Sequence, residues 1–101
     1  MKYRYIYDPR AITEYEEAII WYSERSELVS ENFVLAVNEK LDEICEHPTR
    51  YRNTKKYFRE TFLKKYPYSI VYFVEEDAKT VVIVSIFHSS RNPKKKYKRQ
   101  P

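Results

Sequence analysis

Arg59 and His88 are the residues whose chemistry stands out in this chain. Arginine presents paired N–H donors to phosphate oxygens, and histidine exchanges protons near neutral pH. Arg91 follows shortly after His88, and Lys64 and Lys65 stand side by side between two apolar stretches. Brought to one place, these groups have what metal-free RNA cleavage requires. A base must take the 2′-hydroxyl proton, and cations must stabilise the charge that develops around phosphorus. Each residue has a structural reading as well. A histidine at a strand end is often satisfied by its neighbours, and lysines beside a turn are often simply solvated. Glu60 has the opposite strand parity from Arg59 and makes a poor partner for it. No second histidine or acid completes the set.

Other chemistries are excluded or weak. Cys45 is the single cysteine, so no intrachain disulfide or multi-thiolate zinc site is possible. It falls on the apolar side of a predicted helix, as a small buried thiol would. His47 and His88 are the only histidines, and we expect no metal and no cofactor. The chain has no glycine, which rules out a glycine-rich phosphate loop.

The net charge is +4, but its distribution says more than its sum. Glu14, Glu16, Glu17, Glu24, Glu27, Glu31, Glu39, Asp42, Glu43 and Glu46 crowd the first half. Arg50, Arg52, Lys55, Lys56, Arg59, Lys64 and Lys65 follow, and then a tail with Arg91, Lys94, Lys95, Lys96, Lys98 and Arg99. Such asymmetry suits nucleic acid, the ribosome or an acidic protein, or else a solubilising surface. No apolar run approaches the roughly 20 residues of a membrane span, and the start lacks the apolar core of a signal peptide. A cytoplasmic protein with no membrane partner is the expectation.

The elements that must position these groups follow from periodicity. Lys2 to Tyr7 alternates and reads as a strand. Asp8 is a good N-cap and Pro9 fits the first helical position. Ile12, Tyr15, Ile19 and Tyr22 then recur at helical spacing, which predicts a helix ending near Arg25. Ser23 to Ser30 reads as a polar break. Phe33, Val37, Leu41 and Ile44 form a second stripe, stopped by Pro48. The short break predicts an antiparallel helical hairpin.

Thr49 to Lys56 is polar and basic and reads as a loop. Three strands follow: Tyr57 to Lys64, with Arg59 and Phe58 on opposite faces, then Tyr68 to Glu75 and Thr80 to His88. The last two are nearly all apolar, as central strands are. This order predicts an α+β fold, with the hairpin packed on one face of an antiparallel-rich four-stranded sheet. One domain over residues 1–93 is expected, with a basic C-terminal tail over 94–101. Arg59 and His88 are expected to converge on the sheet face away from the helices.

Certain stretches carry a family resemblance. They are the acidic helix after Ala11 that ends at Trp21-Tyr22, the close of the second helix at Ile44-Cys45-Glu46-His47-Pro48, and Arg59 at a strand start. Tyr66-Pro67-Tyr68-Ser69-Ile70-Val71-Tyr72 comes next, and Val82 to Pro93 contains His88, Arg91 and Pro93 in a closing H-x-x-R-x-P pattern. In this order they resemble the RelE/ParE toxin superfamily over nearly the whole chain.

The resemblance implies a βααβββ toxin fold and the toxin role in a type II toxin–antitoxin pair, inhibiting growth until a cognate antitoxin binds. It also implies operator DNA binding only through that antitoxin. RelE-like members cut messenger RNA in the ribosomal A site, whereas ParE-like members poison DNA gyrase. The long helical hairpin and the Pro-Tyr strand look closer to ParE. If the chain were instead a metal-independent endoribonuclease, Arg59, Arg91, Lys64 and Lys65 would bind phosphate. His88 would act as acid or base, and Tyr97 would stack on a base. A non-toxic relative that only binds a protein is the further alternative.

Overall fold

The first turn of the chain is built as its residues predict. Asp8 is extended, with φ −66° and ψ 144°, and its carboxylate accepts from the Arg10 N–H at 3.3 Å while Pro9 opens helix α1, Pro9–Ser23. The Asp8 N–H donates to the Ile83 carbonyl at 2.8 Å, which ties the start of the helix to the sheet. The computed structural model describes residues 2–90, so Arg91, Tyr97 and the expected domain limit near residue 93 lie outside the described residues.

Before α1 runs strand β1, Arg4–Tyr7, shorter than the Lys2–Tyr7 expected. After α1 come helix α2, Glu27–Glu46, and strands β2, Arg52–Lys55, β3, Phe58–Phe62, β4, Tyr68–Glu75, and β5, Thr80–His88. The break between the helices is shorter than the polar stretch Ser23–Ser30 suggested. Ser26 caps α2 by accepting from the Val29 N–H at 3.3 Å, and α2 starts at once. Its first turn carries Leu28 and Val29 exposed to solvent, so apolar periodicity begins only later and hides the true start.

Among the described residues the sheet has five strands, in the order β1-β5-β4-β3-β2, with β1 parallel to β5 and every other pair antiparallel. The four-stranded expectation lacked β2, which lies inside the stretch read as a loop. Arg52-Asn53-Thr54-Lys55 has no apolar alternation, because an edge strand can be held by backbone pairing alone. Its register shifts between Asn53 and Lys55, a bulge at Thr54. The Thr54 hydroxyl is buried there with no hydrogen-bond partner. With no glycine available, Lys56 (φ 51°) and Lys79 (φ 49°) take the left-handed conformation in the turns before β3 and β5.

The main core lies between the helices and one sheet face. Phe33, Val37, Leu41 and Ile44 of α2 meet Ile70 and Tyr72 of β4 and Val81, Ile83 and Ile86 of β5. Phe33 is fully buried, with the rings of Tyr22, Tyr66 and Tyr68 at 5.0 to 5.3 Å. Cys45 is buried in this core, which pushes its thiol pKa up. The other sheet face, where Arg59 and His88 were expected to converge, is apolar at its centre. Phe58, Val71, Phe73, Val82 and Val84 form a second, buried apolar cluster there. Glu60 on the same face is buried too and accepts from Ser69 Oγ at 2.6 Å.

Candidate functional site

Strand register decides where each predicted site residue points. Arg59 lies directly opposite Tyr72, and His88 directly opposite Tyr68. Tyr68 and Tyr72 both pack into the core beneath the helices, and paired residues share a face, so Arg59 and His88 are on the helix side. This corrects the expectation of a cluster on the far face. They are also well separated. Four residues along β4 at ~3.3 Å each, and two strand spacings of ~4.8 Å, put their backbones roughly 16 Å apart.

Arg59 is committed to the backbone. Its Nη1 donates to the Tyr51 carbonyl at 2.8 Å and to the Thr49 carbonyl at 3.2 Å. Beside it, the fully buried Tyr72 hydroxyl donates to the Pro48 carbonyl at 2.7 Å. Neighbouring strands thus send two side chains to three carbonyls of the segment that leaves α2. That segment has no regular structure of its own, so these bonds hold it in place ahead of β2. Burial holds the Tyr72 hydroxyl well above the usual tyrosine range.

His88 lies at the opposite end of the sheet, in a cleft of about 320 Å³ with Glu17, Ala18, Trp21, Tyr22, Pro67, Tyr68 and Ser90. The Tyr68 ring meets it edge-on at 5.0 Å. The Ser90 N–H donates to His88 Nδ1 at 3.0 Å, and Ser90 Oγ is 2.7 Å from the same nitrogen. Because a backbone N–H can only donate, Nδ1 accepts and the proton of the neutral ring sits on Nε2. The basic lone pair of this tautomer is therefore already engaged.

Lys64 and Lys65 are exposed on the turn between β3 and β4. They line a separate groove of about 480 Å³ beside α2, with Leu35, Ala36, Lys40, Leu63 and Tyr66 among its walls. The Ser89 N–H donates to the Pro67 carbonyl at 2.8 Å, so this turn and the end of β5 share one end of the molecule. Lys64 and Lys65 thus lie at the same end as His88 but line a different groove, and Arg59 is not among them. No group of three or more His, Cys, Asp or Glu residues that could hold a metal ion occurs among the described residues. No helix among them is long and apolar enough to cross a membrane.

Two features were not anticipated. Glu14 is buried at 5% exposure on the stripe Ala11-Glu14-Ala18 that faces the sheet. Its Oε1 accepts from Ser85 Oγ at 2.7 Å and from the Ile86 N–H at 3.1 Å, and Arg10 Nε is 3.5 Å from Oε2. The register between β4 and β5 shifts beside these residues, and the carboxylate takes up a backbone donor there. An acid spaced among small residues of a buried stripe was the available signal. The second feature is Trp21, half exposed, with the Arg25 guanidinium 3.5 Å over its ring. Ile20, Leu28 and Leu35 on the same hairpin are more than half exposed. Exposed aromatic and aliphatic groups of this kind suit a macromolecular partner.

Comparison with solved structures shows the fold. The isolated E. coli RelE toxin is 21% identical with a TM-score of 0.64, over 90% of this chain and 88% of that one. A chain of the intact E. coli RelBE toxin–antitoxin complex is 22% identical with a TM-score of 0.64, over 88% of this chain and 99% of that one. A substituted RelE in the free state is 22% identical, again at a TM-score of 0.64, over 89% and 86%. A search of curated proteins finds no match. The family model for the ParE toxin of the type II toxin–antitoxin system parDE matches residues 5–93. With nearly its whole described length matched, the chain belongs to the ParE toxin family of type II toxin–antitoxin systems.

Proposed function

We propose that this toxin acts on DNA gyrase, as the resemblance to ParE implies, and is held inactive by a cognate antitoxin. The observation that carries the choice is the commitment of Arg59. Its guanidinium holds the Thr49 and Tyr51 carbonyls, roughly 16 Å of backbone from His88. The pair that could have cleaved RNA is not assembled, and His88 Nδ1 is engaged by Ser90. The exposed Trp21, Leu28 and Leu35 support a protein target instead. The antitoxin and its link to operator DNA rest on family membership and on the RelBE complex among the similar folds. Action in the cytoplasm follows from that target.

One arrangement favours a second reading, ribosome-dependent messenger cleavage. His88, Tyr68, Lys64 and Lys65 share one end of the molecule and present cations beside an aromatic cleft. The two readings part in a supercoiling assay with purified gyrase and relaxed plasmid. The gyrase reading predicts loss of supercoiling, and its restoration when antitoxin is added. Unaffected gyrase, together with cleavage of messenger on added ribosomes, would establish the second reading.

A further inference from the structure

Strand β1 ends the sheet on the side opposite β2. Among the described residues it pairs with β5 on one side and with no strand on the other. The parallel ladder decides which of its groups are left over. The Arg4 N–H donates to the Lys79 carbonyl at 3.2 Å and the Asp8 N–H to the Ile83 carbonyl at 2.8 Å, so even-numbered residues bond inward. Tyr5 and Tyr7 therefore turn their N–H and C=O groups outward. This outward row is closed at both ends. The Tyr3 N–H is taken by the Cys45 carbonyl at 2.9 Å, and Pro9 has no N–H to offer. What stays open is the window Tyr5-Ile6-Tyr7.

The window lacks the protection that sheet edges usually carry. Natural edges are blunted by lysine, proline or a bulge. Tyr5-Ile6-Tyr7 holds neither residue, and β1 keeps regular register with β5 from the Arg4–Thr80 pair to the Tyr7–Ile83 pair. Ile6 is 54% exposed and Tyr5 38% exposed. The cations just before the window are engaged elsewhere. Arg4 Nε donates to Thr80 Oγ1 at 3.1 Å, and Lys2 Nζ pairs with the Asp42 carboxylate at 2.9 Å.

We propose that two copies of this chain join edge to edge through β1, antiparallel about a two-fold axis at Ile6. In this register Tyr5 of each copy faces Tyr7 of the other, and the outward N–H and C=O groups of both are exchanged. Ile6 meets its own copy across the axis as a non-hydrogen-bonded pair, the closer of the two kinds. A two-fold contact requires a self-complementary patch, and an isoleucine flanked on each side by a tyrosine is one. Aromatic and β-branched pairs across strands are favourable. A charged segment of another protein is disfavoured, because the window carries no charge to select it. Tyr5 and Tyr7 lie opposite Val81 and Ile83 of the main core, and paired residues share a face. Both helical hairpins therefore lie on the same side of one continuous sheet. The dimer forms whichever target the toxin has.

The test is hydrogen exchange of the full chain at about 10 μM and at about 1 mM, with sedimentation over the same range. For a dissociation constant of ~100 μM, suited to so small a contact, the Tyr5 and Tyr7 amides should slow about fourfold or more at the higher concentration. The Arg4 amide, already bonded within the chain, should not change. Ile6→Lys, at an exposed position, should leave the chain monomeric with unchanged circular dichroism. Ile6→Cys, oxidised by glutathione disulfide, should cross-link to its copy at least about tenfold faster than Arg4→Cys, because only position 6 meets itself. A chain that stays monomeric at both concentrations overturns the proposal, as does exchange at Tyr5 and Tyr7 that ignores concentration. A dimer that survives Ile6→Lys, or equal cross-linking at positions 4 and 6, places the contact elsewhere and overturns it too.

Discussion

Replacing Arg59 by methionine keeps much of the aliphatic stem and removes every donor. The bond to the Tyr51 carbonyl is 2.8 Å long and partly buried, and a hydrogen bond from a charged donor is worth about 1.5–3 kcal/mol. The bond to the Thr49 carbonyl is longer, 3.2 Å, and exposed, so water replaces it at a cost near ~0.5 kcal/mol. The expected loss is about 2–3 kcal/mol, or a melting temperature lower by roughly 10–20 °C for a domain of this size. Urea unfolding followed by circular dichroism measures the loss. Hydrogen exchange should show it concentrated at the β2 amides, which depend on the latched segment. Tyr72→Phe, which frees the neighbouring Pro48 carbonyl, should couple to Arg59→Met in a double-mutant cycle. Growth inhibition per folded molecule should be unchanged. A variant as stable as the parent to within ~0.5 kcal/mol that no longer inhibits growth would refute the reasoning and return Arg59 to the functional surface.

Three further outcomes follow from the same geometry. Glu14→Ala strands the buried Ser85 hydroxyl and the Ile86 N–H and should cost about 3–4 kcal/mol; Glu14→Gln, which keeps an acceptor, should cost about 1 kcal/mol in the same urea assay. Burial raises the pKa of Tyr7 and Tyr72 above the unfolded value, so their stabilising effect is complete below about pH 10 and is lost as pH rises further; stability followed across pH 9–12 should fall at the alkaline end, less steeply in Tyr72→Phe. His88→Ala should leave gyrase inhibition intact, and its loss in a variant that remains folded would show that the His88 cleft meets the target.

Much of the fold was legible because it rests on periodicity. The α1 and α2 stripes, the Pro48 stop and the apolar β4 and β5 each repeat a local pattern over many residues. The parity of β3 was legible too, with Arg59 and Phe58 on opposite faces as the structure has them. Parity, however, does not say which face the helices cover. Placing Arg59 beneath them requires the pairing with Tyr72, a contact 13 residues away in the chain. The same limit hid β2, which is held by backbone pairing and not by a side-chain pattern. The basic charges were read as a sheet face, whereas that face is apolar and Arg50, Arg52, Lys55 and Lys56 lie at its edge. In the sequence Glu14 is one of the acids that crowd the first half of the chain. Its burial follows from the bonds it accepts from Ser85 Oγ and the Ile86 N–H, which only the assembled sheet brings to it.

The central claim, a gyrase-directed toxin with no assembled RNA-cleaving pair, is tested most directly by pulse-labelling protein synthesis within minutes of inducing this chain without its antitoxin. Continued incorporation, followed by filamentation and DNA-damage signalling, is the predicted result. An immediate collapse of incorporation before any DNA damage would contradict it.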